Sequence, residues 1–254
     1  MHKVYFVGCG PGDPELLTVK AKKLIQKADV VVYSGSLIPT QIINLCKKEK
    51  YDAAKLVREE IFDILKTNTK KGKLAVRLHD GDPSIYGAIR EQTDNLRKAG
   101  IEFEIVPGVT SFLASAAVLG SELTLPGITQ TIIITRAEAR TKVPKREKIS
   151  ELAKHKSTMI FYLSAHLLSD IVKEVISGGY PKSTPAAAVY RASWNDEKII
   201  VGTLKDITKK VRDAKITRTA IIIIGDIVKP KSYEYSKLYD KTFSHGFRKA
   251  KIKS

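Results

Sequence analysis

Short apolar runs alternate along the chain with longer amphipathic stretches, and that alternation predicts an α/β fold. Residues 3–7, 29–33, 74–78 and 103–106 are mainly apolar, β-prone and strand-sized. Asp13 and Pro14 open a helix expected to run to about Lys27, because Leu16, Leu17, Leu24 and Ile25 fall near helical spacing. Further helices are predicted over about 40–47, over 58–70 with Gly72 as its stop, up to Lys98 before Gly100, and over the small-residue stretch 111–119. Strand and helix in strict alternation make a parallel sheet, buried on both faces where a strand such as 29–33 is apolar after its first residue.

Residues 120–127 carry turn formers and no periodicity, so the first α/β domain is expected over 1–118, a linker over 119–127 and a second α/β domain over 128–254. Strands come more densely there, at 131–135, 158–163, 186–190, 198–201 and 218–225, with helices at about 145–154, 167–177 and 204–213. The short step from Tyr190 to Lys198 suggests an antiparallel pair and hence a mixed sheet.

Three strand ends run into similar turns: Gly8-Cys-Gly-Pro-Gly-Asp-Pro14, Asp80-Gly-Asp-Pro83 and Pro107-Gly-Val-Thr110. Asp82 followed by Pro83 reads as an N-cap with proline in the first helical position. In open α/β sheets, ligands bind at the carboxyl ends of the strands. One Gly-Asp-Pro turn is a common connector; three that face one cavity make a cofactor site. The glycine spacing is not that of a dinucleotide fingerprint, no acidic residue ends the second strand, and there is no Gly-Lys-Ser/Thr. Asp80 and Asp82 are open to two readings, a magnesium pair or backbone caps. His2, His79, His155, His166 and His245 have no metal-like spacing, and no metal site is expected. With no acid, base or nucleophile evident, such a cavity suits a reaction whose energy is carried by a cosubstrate, the protein supplying orientation.

At 254 residues, 43% hydrophobic and 28% charged, the composition is that of a soluble globular protein. No run approaches a membrane span, strand-like sequence starts almost at once, and Cys9 and Cys46 are too few for a disulfide framework. A cytoplasmic setting is therefore expected. The net charge of +17 admits nucleic-acid binding, an anionic small substrate or a merely lysine-rich surface. Scattered lysines beside acidic residues speak against nucleic acid. From 228 to 254 eight Lys or Arg face two acidic residues among Tyr233, Tyr235, Tyr239, Phe243 and Phe247, and the first half of this tail is expected to order against the body.

The first-loop motif, the Asp80-Gly-Asp-Pro turn, Val106-Pro-Gly-Val-Thr-Ser111 and Pro185-Ala-Ala-Ala-Val-Tyr-Arg-Ala-Ser-Trp194 resemble the tetrapyrrole methylase family, in order and across nearly the whole chain. Tyr33-Ser-Gly-Ser-Leu37, residues 134–144 and residues 236–248 resemble its branch acting at C11 of a cobalamin precursor. The resemblance implies two α/β domains with the active site in a cleft between them, a homodimer, S-adenosylmethionine as cosubstrate and an anionic tetrapyrrole as substrate. It carries cofactor contacts onto Pro11, Asp80, Gly81, Asp82, Ile85, Thr110, Ser111, Leu163, Ala192 and Ala220. For Leu163 and Ala220, plain core packing is an equal reading. Ser36, on the loop after the second strand, and Arg136 and Arg140, flanking Glu138, are candidate contacts to the substrate; a surface salt-bridge loop is the alternative for the two arginines. Uroporphyrinogen-methylating relatives place an aspartate where this chain has Ser34, which leaves the acid–base residue unassigned. Methylation at another corrin carbon and a basic nucleic-acid binder are the rival readings.

Overall fold

The computed structural model describes residues 3–251. The chain divides into two compact units, one formed by the residues up to Ser115 with Arg191–Lys198, the other by Ala116–Tyr190 with the residues from Ile199 onward. In the first, β1 (Val4–Gly8), α1 (Val19–Lys27), β2 (Val30–Tyr33), α2 (Thr40–Ile43), β3 (Glu49–Asp52), α3 (Arg58–Lys70), β4 (Ala75–His79), α4 (Ile89–Lys98) and β5 (Phe103–Val106) follow one another, and the division of the chain falls within α5 (Ser111–Val118). The strands lie in the order β3-β2-β4-β1-β5, all pairings parallel.

Both faces of this sheet are buried, as its apolar strands require. Val7, Val31, Val76 and Leu78 pack with Ile25 and Ile42, while Phe6, Val30, Val32 and Ala75 pack with Leu65 and Leu96. The register sets Gly8 beside His79 and Val7 beside both Leu78 and Val106, so the turns after β1, β4 and β5 leave the sheet side by side.

Local departures from the expected elements have local causes. The helix expected from Asp13 is two pieces: Asp13 caps only a 3-10 turn over Pro14–Leu16, Leu17 turns extended, and Thr18 caps α1 afresh by accepting from the Ala21 amide at 3.1 Å. The helix expected over 40–47 is the single turn α2. No helix starts at Pro83 either. Tyr86 and Ala88 hold left-handed φ values of 55° and 48°, so 83–86 is a turn and α4 begins only at Ile89. Strand β3 was not expected, because Glu-Lys-Tyr-Asp is polar; as an edge strand it needs no apolar face.

The second unit holds β6 (Ile132–Arg136), α6 (Ile149–Ala153), β7 (Thr158–Tyr162), α7 (Leu168–Ser177), β8 (Pro185–Tyr190), β9 (Lys198–Thr203), α8 (Ile207–Asp213) and β10 (Ala220–Ile224). Its sheet, ordered β6-β7-β10-β8-β9, is mixed: β6 and β7 are parallel, whereas β10 runs antiparallel to β7 and β8. The alanines of β8 let α8 pack closely, over a core that includes Met159, Phe161, Ile171 and Ile222.

The basic aromatic tail meets the body in its first half, as expected. Its first half is anchored to the body at Glu234, whose amide donates to the Pro126 carbonyl at 3.0 Å and whose side chain lies on Gly127. Beyond it the tail folds on itself: the Arg248 guanidinium donates to the carbonyls of Leu238 and Asp240, and Tyr235, Tyr239 and Phe247 stay exposed. Charge and carbonyl bonding within the tail substitute for an apolar contact. Residues 252–254 of it lie outside the described residues. Much of the remaining positive charge is engaged in surface pairs, such as Lys48 with Asp29 and Arg58 with Glu91, whose energetic worth is small.

Candidate functional site

The turn after β4 is the hub of the first unit. Gly81 exchanges backbone hydrogen bonds with Gly10, donating at 2.9 Å and accepting at 3.2 Å. Asp82 accepts from the Ser84 amide through Oδ1 at 2.8 Å and from the Gly108 amide through Oδ2 at 2.9 Å. Each carboxylate oxygen thus accepts from a backbone amide, the geometry of a capping residue. A Cβ on Gly8 would lie 2.6 Å from the Gly81 carbonyl oxygen, and one on Gly108 2.2 Å from it, so the three turns meet at backbone distance. Cβ-free contact of this kind brings Pro11, Gly81, Asp82, Thr110 and Ser111 into one neighbourhood, since Gly81 itself faces Thr110 and Ser111. Ile85 lies on the same turn, its amide donating to the Asp82 carbonyl at 3.3 Å.

Asp80 is open to water on one side, yet surrounding protein raises its carboxyl pKa by desolvation, against its own backbone amide and Arg77.

Behind the turn the sheet holds charge that the sequence pattern concealed. Arg77 and His79 alternate with Val76 and Leu78, and all are buried. Arg77 Nη1 donates to the carbonyls of Leu78 at 2.9 Å and Val32 at 3.2 Å and to Ser34 Oγ at 3.3 Å; Ser34 donates in turn to the Leu78 carbonyl. Burial lowers the guanidinium pKa to about 10, opposed by Asp80. Burial, reinforced by Arg77, lowers the His79 pKa to about 3, so the imidazole is neutral in ordinary buffers. Cys9 is buried beside them with its thiol pKa pushed up by desolvation, which leaves it inert. Ser36 sits on the 3-10 turn Gly35–Leu37; its side chain lies outside the described residues.

Ala192 belongs to the first unit and is buried. Leu163 and Ala220 belong to the second. There, β10 begins at Ala220 and pairs antiparallel with β7 from Ile222, opposite Phe161, while Leu163 follows directly after β7. Leu163 is 65% exposed with φ 54°, so it is not a core residue, whereas Ala220 is buried in the core. The loop after β6 meets the same end of the sheet, because the Ala137 amide donates to Ser164 Oγ at 2.8 Å. Arg136 does not reach outward. Its guanidinium donates to the carbonyls of Ala137, Thr141 and Lys142, closing the loop on which exposed Arg140 is carried. Glu138 accepts from the Val143 amide and so completes that loop instead of an ion pair. Among the described residues, no helix is long and apolar enough to cross a membrane.

A family model described as Tetrapyrrole (Corrin/Porphyrin) Methylases matches residues 3–208. The chain is 54% identical over 251 residues to the cobalt-precorrin-4 C(11)-methyltransferase of Methanocaldococcus jannaschii, covering 98% of this chain and 97% of that protein. The crystal structure of a cobalt precorrin-4 methyltransferase of cobalamin biosynthesis superposes with a TM-score of 0.88 at 46% identity, over 90% of this chain and 96% of that one. A uroporphyrin-III C-methyltransferase from Thermus thermophilus, solved with S-adenosylhomocysteine, superposes with a TM-score of 0.76 at 30% identity, over 91% of this chain and 96% of that one.

Proposed function

The chain belongs to the tetrapyrrole (corrin/porphyrin) methylases, and on that premise we propose that it transfers the methyl group of S-adenosylmethionine to C11 of precorrin-4 or its cobalt complex, giving the corresponding precorrin-5. The observation that supports the reading is the junction of the three turns, where Asp82 and Gly81 tie the ends of β1, β4 and β5 together at backbone distance. The residues present fit a sulfonium nucleoside: small side chains at Thr110, Ser111 and Ala192 leave room for an adenine, and the Gly81 turn permits close backbone approach. Within the first unit, Pro11, Asp80, Gly81, Asp82, Ile85, Thr110, Ser111 and Ala192 would hold it.

The sulfonium supplies an activated methyl and a neutral leaving group, so the reaction makes little demand on an acid. What the protein provides is alignment of C11 with the methyl for in-line attack and exclusion of water. Orientation of this kind is worth on the order of 7–11 kcal/mol. Calorimetric titration of S-adenosylhomocysteine into the protein tests the reading; micromolar binding is expected, and no binding to folded protein overturns it. Product analysis with cobalt-precorrin-4 and with metal-free precorrin-4 then distinguishes the two substrates.

Arg140, held outward by the loop that Arg136 closes, is the candidate grip on a substrate carboxylate. Arg140→Ala should raise KM for the macrocycle about fivefold, the loss of one exposed charge-assisted contact, with KM for S-adenosylmethionine unmoved. An unchanged macrocycle KM would return Arg140 to the solvated surface. The active form is taken to be a homodimer, as the family resemblance implies, and sedimentation of the purified chain checks it.

A further inference from the structure

We propose that Trp194 is a positioning residue: with Arg191 and Ser193 it forms a clasp that fixes the loop after β1 for cofactor binding. The inference rests on the methyltransferase reading. The segment 191–198 is flanked in the chain by β8 and β9 of the second unit, yet it is part of the first. There it holds three consecutive residues of the Gly8–Pro14 loop. Trp194 Nε1 donates to the Pro11 carbonyl at 2.7 Å, and Ser193 Oγ accepts from the Asp13 amide at 3.0 Å. Between them Gly12 lies under the indole so closely that a Cβ would come 2.2 Å from Trp194 Cδ1.

The clasp is itself braced. The Arg191 guanidinium stacks on the Trp194 ring, 4.4 Å from its centroid, and pairs with Asp196 at 2.7 Å. The Ser193 amide donates to Glu197 at 2.6 Å, and the Trp194 amide to the Arg191 carbonyl at 3.0 Å. Arg191 and Ser193 hold left-handed φ values of 48° and 69°, a conformation that side-chain-bearing residues adopt only where the surroundings impose it. Both flank Ala192. The clasp therefore ties two candidate cofactor contacts, Pro11 and Ala192, to each other through a single indole. A bound nucleoside touching either contact meets a loop whose position is already set, which lowers the ordering cost of binding.

Trp194 is the only tryptophan of the chain, so its fluorescence reports on this one place. In the wild-type protein, titration with S-adenosylhomocysteine should change the emission with a midpoint equal to the calorimetric Kd. Trp194→Phe keeps an aromatic side chain and removes the hydrogen bond to Pro11; the Kd for S-adenosylhomocysteine should rise about five- to tenfold. KM for S-adenosylmethionine should rise with it, while kcat at saturation and KM for the macrocycle stay within about twofold, the signature of lost uniform binding. Melting temperatures measured in parallel separate this from a purely structural role, which would lower thermal stability and leave the Kd alone. Wild-type affinity in Trp194→Phe, or emission indifferent to ligand, overturns the clasp and leaves the methyltransferase reading standing. No calorimetric binding to the wild-type protein removes both.

Discussion

Replacing Asp82 by alanine should weaken S-adenosylhomocysteine binding about a hundredfold or more, the largest effect expected of any single side chain in the first unit. The carboxylate accepts from two amides on different turns, Ser84 within its own and Gly108 in the turn after β5. Hydrogen bonds to a charged acceptor are worth about 1.5–3 kcal/mol each, so losing both costs at least about 3 kcal/mol of the geometry that places Gly81, Thr110 and Ser111 together. Asp82→Asn keeps one acceptor oxygen and turns an amide donor toward the other backbone N–H; an intermediate loss is expected. Calorimetry on both variants, with circular dichroism to confirm folding, reads the result. A folded alanine variant with wild-type affinity would show that the turns keep their places without the carboxylate.

The second large effect is on stability against acid. His79 titrates near 6.5 when unfolded, and its folded pKa is about 3, so between these values the unfolded chain binds a proton that the folded one does not. The contribution is fully present above pH 6.5 and is lost as pH falls, at about 1.4 kcal/mol per unit. From pH 6.5 to pH 4 that amounts to about 3 kcal/mol from one imidazole. Urea unfolding across this range should show a shallower pH dependence in His79→Gln, which has no proton to take up, than in the wild-type protein. Equal slopes would mean that His79 is not held neutral by the fold.

Much of the first unit was legible because its signals are local. Helix α3 falls on the amphipathic pattern of Ile61, Phe62 and Leu65, and β4 ends where the acidic turn begins. What failed to show was long-range or compensated. The polar β3 is stabilised by its neighbour rather than by its composition. Arg77 and His79 look like the solvated positions of a half-buried strand, and only the three-dimensional placement of the Val32 and Leu78 carbonyls makes a buried guanidinium tolerable there. Trp194 could be read as part of a motif, but nothing in its neighbourhood says that it lies against Gly12, more than 180 residues earlier. Arg136 misled in the opposite sense: its spacing from Arg140 suggested a paired grip, and its guanidinium instead serves its own loop.

Gly8 and Gly108 have a consequence for how this fold changes over evolutionary time. Each faces the Gly81 carbonyl at a separation that admits no side chain, so both positions are closed to every substitution that adds an atom beyond hydrogen. A lineage drifting toward a different macrocycle carbon has no room to explore there. Novelty must enter where side chains stand free, as on the loop carrying Arg140 or along the exposed tail. The junction of the three turns is thereby frozen by geometry, and the free loops are left to vary.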